Sequence, residues 1–119
     1  MSKPEPVHQG VDFDLAAIDA ELRRADAYQR DGHTARTLIR ERDLRVVLIV
    51  MKAGARIAEH QANDTASIHA LSGHVRLTLP DRVADLPAGR LLVLERGLRH
   101  DVEAVAESAF LLTLGWQPT

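Results

Sequence analysis

Cysteine is absent from this 119-residue sequence, and aromatic residues make up only 3% of it. Without cysteine the chain can form no disulfide, hold no iron–sulfur cluster and use no thiol nucleophile, and it is compatible with a reducing compartment. The four aromatic side chains are too few and too scattered along the chain to form a base-stacking platform for nucleic acid. They are Phe13, Tyr28, Phe110 and Trp116.

A large excess of one charge and a long apolar run are also missing. Lys plus Arg number 15 and Asp plus Glu 17, and this formal net charge of −2 argues against a nucleic-acid partner, which selects for a basic face. The longest apolar run, Val46 to Met51, is far shorter than the ~20 residues that span a bilayer. Residues 1–10 contain prolines and no apolar stretch, which is unlike a signal peptide. We therefore expect a cytoplasmic protein without a membrane partner.

What the sequence does contain is the length and apolar content, 45%, of one globular domain. Its first part has one amphipathic helical pattern, which Asp12 or Asp14 can cap and which Asp31-Gly32 can end. Apolar residues recur there at spacings of three and four, at Leu15, Ile18, Leu22 and Ala25. We predict a tail and helix over residues 1–33, followed by a different kind of structure over residues 34–119.

From Thr34 onward the chain is a series of short apolar segments, separated at regular intervals by Gly, Pro, Asn or Asp. Such spacing predicts an all-β antiparallel sandwich or barrel rather than alternating strands and helices. Ser72-Gly73, between two of the segments, predicts a two-residue hairpin turn. The predicted strands span residues 35–40, 44–52, 56–60, 66–71, 74–79, 82–86, 90–94, 100–104 and 108–116.

Two stretches of this region resemble the sequence motifs of the cupins. Gly54 to His60, followed by Gly73, is similar to the first motif, in which a glycine, five residues and a histidine lead to a second glycine. The stretch from Pro87 to His100, with its glycines, is similar to the second motif. The resemblance extends from near Val46 to Gly115. It implies a small RmlC-like conserved-barrel cupin, an antiparallel jelly roll with an N-terminal α-helix, whose lumen opens at one end.

The resemblance also bears on metal binding. In metal-binding cupins two histidines and a carboxylate of the first motif and one histidine of the second line the lumen. This sequence keeps His60 and His100, but Ala62 and Ala66 fall on the other two positions. Because a catalytic metal usually has at least three protein ligands, we expect no tightly bound metal. A divalent Zn, Ni, Mn or Fe ion would need a third ligand, for which the candidates are His69, Glu95, Asp64 and Asn63.

Small and aliphatic residues share the strand face of the two histidines, with His69 on the opposite face by period-two alternation. A lumen of this kind suits a small, mostly apolar ligand held by a few polar contacts. The predicted ligand-binding residues are His60, His100, Ala62, Ala66, Ile68 and Val102. Two alternatives remain open: a metal-dependent oxygenase or isomerase that uses both histidines, and metal-free proton transfer between their imidazoles.

The segment from Leu44 to Met51 suggests a further property, because after Arg45 it is apolar at every position. A strand of this composition is covered on both faces. The resemblance implies a homodimer, since small cupins commonly pair their sheets across a two-fold axis, and a symmetric interface over residues 35–52 would cover the outer face. The alternative is that the N-terminal helix covers the same face within one chain, through Leu15, Ile18 and Leu22. Of the two, we expect the dimer.

Overall fold

The structure, a computed structural model, describes Pro4 and residues 6–115, with the backbone alone at residues 59–61. Within these residues it has two helices and nine strands. Neither helix has the length and apolar content needed to cross a membrane. The strands lie in two antiparallel sheets with the main core between them, which confirms the predicted all-β class with an N-terminal helix.

The helical segment forms two helices, α1 (Leu15–Arg23) and α2 (Asp26–Asp31), where the sequence pattern predicts one. Both predicted ends are confirmed: Asp14 Oδ1 accepts a hydrogen bond from Ala17 N, 3.1 Å away, and Gly32 ends α2 in the left-handed conformation. The break has a packing reason. Leu22 and Tyr28 are both buried in one cluster, but six residues along a continuous helix they would point about 120° apart. Extended backbone at Ala25 brings both onto the sheet.

Each predicted strand is present, and its ends lie within two residues of those predicted. The last prediction extends to Trp116, which lies outside the described residues. The strands are β1 (His33–Arg40), β2 (Leu44–Met51), β3 (Arg56–Gln61), β4 (Ala66–Ser72), β5 (His74–Thr78), β6 (Val83–Pro87), β7 (Leu91–Leu94), β8 (Arg99–Ala104) and β9 (Ser108–Gly115).

The strands form a five-stranded sheet in the order β1-β2-β9-β4-β7 and a four-stranded sheet in the order β3-β8-β5-β6. The predicted hairpin at Ser72-Gly73 is therefore wrong, because β4 and β5 belong to different sheets and Gly73 is the corner between them. A Cβ atom at Gly73 would lie 2.0 Å from the carbonyl oxygen of Glu107, and its φ is +73°. Both the close approach and the positive φ require glycine at this corner.

Apolar side chains occupy the space between the sheets, and a second apolar cluster lies outside the five-stranded sheet. In the second cluster Leu22 and Tyr28, from the helices, pack with Leu48 and Val50 of β2. The helices of the same chain thus cover the outer face of β2. This agrees with the alternative in which the N-terminal helix, and not a second copy, covers that face. The apolar composition of β2 therefore gives no support to a dimer interface over residues 35–52, and the homodimer itself stays a prediction.

Candidate functional site

One end of the barrel carries the residues that the sequence motifs single out. Three connections meet there: residues 62–65 between β3 and β4, residues 79–82 between β5 and β6, and residues 95–98 between β7 and β8. We call this end the mouth. His60 and His100 lie on its neighbouring strands, and the pairing of β3 with β8 places them directly opposite one another.

His100 is a buried histidine, 4% exposed, on the lumen side of β8. Its lumen neighbours on the same strand, Val102 and Ala104, belong to the main core. The side chain of His60 lies outside the described residues. The prediction that the two imidazoles share one lumen therefore stays a prediction, although the backbone brings their positions together.

A backbone carbonyl group of the mouth fixes the orientation of the His100 ring. Its Nδ1 lies 3.0 Å from the carbonyl oxygen of Leu98, which can only accept, so Nδ1 carries the hydrogen and donates it. In the neutral ring the lone pair is then on Nε2, the tautomer suited to accept a hydrogen bond or bind a metal. Leu98 belongs to the turn between β7 and β8. A hydrogen bond from Gly97 N to Ala62 O, 2.8 Å long, connects this turn to the loop between β3 and β4.

The predicted lumen residues divide into two groups. Ala66 and Ile68 of β4 and Val102 of β8 are at most 3% exposed and face the main core, as predicted. Ala62 is half-buried in the loop after β3, where its carbonyl accepts the bond from Gly97. The structure therefore places three of these residues in the packed core between the sheets, whereas Ala62 supports the rim; their role in ligand binding stays a prediction.

A cavity of about 420 Å³ lies at the mouth, beside the turn that holds His100. Apolar side chains make up much of its wall, and its polar lining consists of Asp81, Arg82 and Glu95. The apolar lining residues are Leu79, Pro80, Leu92, Val93, Leu94 and Leu98. The sequence analysis did not identify these leucines as site residues, because the segment Leu91–Leu94 has the composition of an ordinary core strand. Leucines that flank two polar turns at the same barrel end are the signal that could have identified them.

The strand that carries His100 is also anchored on its other face. Asp101 points outward, is only 8% exposed, and forms an ion pair with Arg56 of β3. The hydrogen bond from Arg56, helped by hydrogen bonds from Thr78, holds the pKa of the Asp101 carboxyl below its usual range. These contacts join β3, β8 and β5 directly behind His100 and so fix the position of its backbone.

The candidate third metal ligands do not gather around His100. His69 is exposed on the outer face of β4, as the alternation predicts, and Glu95 is exposed at the rim of the cavity. Asn63 is exposed in the β3–β4 loop, and Asp64 is half-buried beside Arg45 at a separate small cavity. Within the described residues no three His, Cys, Asp or Glu side chains come together. Those residues alone do not form a metal site.

Among the comparisons with known proteins, only those with solved structures give a match, and they identify the fold. No family model matches the sequence, and no curated protein is significantly similar to it. Among solved structures, a cupin superfamily protein from Desulfitobacterium hafniense superposes with a TM-score of 0.76, covering 98% of this chain and 100% of its own, at 15% identity. An RmlC-like cupin with a double-stranded β-helix fold, from Methanocaldococcus jannaschii, gives a TM-score of 0.66 over 71% of this chain and 81% of its own, also at 15% identity. The protein has the cupin fold.

Two further solved structures are similar to this chain, one of unknown function and one an enzyme. A protein of unknown function from Streptococcus pyogenes has a TM-score of 0.73 and 22% identity, covering 100% of this chain and 98% of its own. A variant of salicylate 1,2-dioxygenase from Pseudoaminobacter salicylatoxidans has a TM-score of 0.77 and 13% identity, covering 87% of this chain but 34% of its own. At these identities the similarity establishes the cupin fold and no shared activity.

Proposed function

We propose that this cupin-fold protein binds a small, mostly apolar molecule at the mouth of its barrel. The observation that carries the proposal is His100, a buried and oriented imidazole whose anchoring residue, Leu98, lines a leucine-rich cavity. A buried polar group in apolar surroundings gives a ligand a specific contact, while the leucines supply area for apolar burial.

The size and charge of the cavity limit the class of ligand. Its volume, about 420 Å³, is in the ~300–1,000 Å³ range typical of small-molecule sites. Its charged lining groups, Asp81, Arg82 and Glu95, sum to −1, which disfavours a nucleotide or a sugar phosphate. The ligand we propose is therefore neutral, or has a single polar group that reaches His100 and its register partner His60.

Binding of the neutral fluorophore N-phenyl-1-naphthylamine tests this proposal. We expect saturable fluorescence enhancement that Leu98→Arg abolishes, because a guanidinium would occupy the cavity. His100→Phe should weaken binding about tenfold, the effect of losing one hydrogen bond of roughly 1.4 kcal/mol. The matched control is Val83→Arg, on the outer face of β6, which should bind like the parent protein. The absence of saturable binding, or binding unchanged by Leu98→Arg, would contradict the proposal.

A metal-dependent enzyme of the oxygenase or isomerase type is the second candidate. The register of His60 with His100 favours it, together with the Nδ1–H bond to Leu98, because metal-bound histidines usually donate their second ring nitrogen in this way. Elemental analysis of untagged protein for Zn, Ni, Mn and Fe is the decisive measurement. A near-stoichiometric metal that the His60→Ala/His100→Ala double variant loses would support this candidate. Metal content that the double variant retains, or no metal, would contradict it.

A further inference from the structure

A second cavity, of about 520 Å³, lies between the helices and β1, the strand at one edge of the five-stranded sheet. It shares no lining residue with the cavity at the mouth, which is lined by β7 at the opposite edge of that sheet. We call it the side cavity. Its wall includes Leu22, Ala25, Ala27, Ala35, Arg36 and Arg40.

Small side chains at the break between the helices help to keep the side cavity open. Ala25 has extended backbone between α1 and α2, and Ala27 follows it in the first turn of α2. Ala35 lines the cavity from β1. Because alanine projects only a methyl group, these three positions leave space where longer side chains would fill it. Buried Leu22 adds apolar surface to the same wall.

The strand side of the cavity is the free edge of β1. Residues 34–37 all line it, although successive strand residues point to opposite faces, so the cavity follows the edge rather than one face. Among the described residues β1 pairs with β2 and with no other strand. The backbone N–H groups that β2 does not use therefore point toward the cavity side. A register shift between Thr37 and Ile39 interrupts this edge, which favours a small molecule over an added peptide strand.

The charged part of the wall is positive. Arg36 and Arg40 line the side cavity, and no Asp or Glu of the described residues does. Arg36 is held by Glu21, with Nη2 3.0 Å from Oε1 and Nη1 3.3 Å from Oε2. No carboxylate within the described part of the chain pairs with Arg40, which is exposed. With Glu21 counted against Arg36, one positive charge remains in excess.

We propose that the side cavity binds a small monocarboxylic acid, as its anion, with an apolar chain. The carboxylate accepts charge-assisted hydrogen bonds from Arg40 and further bonds from the free edge of β1. The apolar chain lies against Leu22 and the alanines, where it loses contact with water. A single negative charge matches the single excess positive charge, whereas an amine would meet two guanidinium groups. The mouth, with lining charges that sum to −1, selects a different, neutral ligand.

Isothermal titration calorimetry of the full chain with octanoate tests this site. We expect saturable binding, and 1-octanol, which has the same chain length without the charge, should bind at least about tenfold more weakly. Arg40→Gln should raise the octanoate dissociation constant by a similar factor of about ten. The matched control is Arg90→Gln, which removes the same charge from an exposed position before β7 and should bind like the parent protein. Absence of octanoate binding, or binding no tighter than that of 1-octanol, would overturn the proposal, as would equal effects of the two arginine variants.

Two further variants separate the side cavity from the mouth. Ala35→Phe should abolish octanoate binding, because its ring would fill the side cavity from an exposed strand position that tolerates an aromatic residue. Leu98→Arg, which blocks the mouth, should leave octanoate binding unchanged. Octanoate binding that Leu98→Arg abolishes and Arg40→Gln does not would overturn the side cavity while leaving the ligand site at the mouth intact. Circular dichroism of each variant should match that of the parent.

Discussion

The outer faces of the two sheets differ sharply although their inner faces share one apolar core. Across the four-stranded sheet, register aligns Arg56, Glu103, Arg76 and Asp85 in a row of alternating charge. Arg76 lies 2.9 Å from Asp85 and 3.9 Å from Glu103, and Arg56 pairs with Asp101. The corresponding outward positions of β2 in the five-stranded sheet are Val46, Leu48 and Val50.

The residue pattern of the strands therefore determines which outer face of the sandwich is exposed to water. Strands that alternate apolar and charged residues have one wet face, whereas a strand that is apolar throughout needs another layer. The helices supply that layer over β2, and a hydrogen bond from the Tyr28 hydroxyl to Glu107 Oε1, 3.2 Å long, helps to hold it. The charged face contributes solubility and strand alignment, while the covered face contributes apolar burial.

The strongest test of this comparison is Leu48→Ala, on the covered face. Leu48 is fully buried between β2 and the helices, so its truncation leaves a cavity. We expect the free energy of unfolding to fall by ~2–5 kcal/mol, measured by urea denaturation. Val83→Ala, at an exposed position of the charged sheet, is the control and should change it by ~0.5 kcal/mol or less. A loss at Leu48 as small as at Val83 would mean that the helical layer adds little stability.

Tyr28 gives an intermediate effect with a direct optical signal, because it is the only tyrosine in the chain. Burial, followed by the nearby Glu107 carboxylate, raises the Tyr28 pKa above its usual value near 10. The resulting stability is present below pH 10 and is lost as pH rises through the folded pKa. Tyrosinate absorbance should therefore develop at higher pH in the folded protein than in urea.

Tyr28→Phe adds a stability measurement to the same contact. Removing the hydrogen bond to Glu107 should lower the free energy of unfolding at neutral pH by about 1 kcal/mol. The variant should also lose the tyrosinate signal and the part of the alkaline destabilisation that it reports. Equal titration of Tyr28 in folded and unfolded protein would contradict the helical contact.

The smallest effect belongs to the charged face. The hydrogen bond from Arg56 lowers the pKa of Asp101, so this carboxylate contributes stability above about pH 3.9, its usual range, that is lost as pH falls through the folded pKa. Asp101→Asn should lower the melting temperature at neutral pH and flatten its fall between pH 5 and acid (~pH 2), where the difference from the parent protein disappears. Asp43→Asn, in the exposed turn after β1, is the control; equal flattening there would contradict a role for the Arg56 contact.

Local sequence signals predicted every strand but not how the strands are shared between sheets. Turn residues mark strand ends because they act on the backbone within a few residues. Whether Ser72-Gly73 forms a hairpin or a corner depends on the pairing of β4 with β9 and of β5 with β8, and both partner strands lie far along the chain. The break between α1 and α2 is another non-local effect, since it places both Leu22 and Tyr28 on a sheet that local helical periodicity does not represent.

The sequence predicted the candidate site in part, as it did the fold. Alternation placed Ile68 and Val102 on the inner faces of their sheets and His69 outside, because the side-chain period of a strand is fixed. The leucine-lined cavity was not predicted, since it arises where turns from different sheets meet. The sequence also could not identify which element packs on the outer face of β2. An apolar strand indicates that another layer covers it, but not whether a helix or a second chain provides that layer.

The position of β9 within the five-stranded sheet has a consequence for synthesis on the ribosome. This strand follows the other eight in the chain, yet it lies in the centre of the sheet, between β2 and β4. A nascent chain that has not yet released residues 108–115 therefore has two partial sheets with facing edges and nothing to join them. Non-local pairing of this kind makes folding slow, and the incomplete chain exposes strand edges that can aggregate. Contact between two nascent copies before β9 is available would therefore favour aggregation over folding.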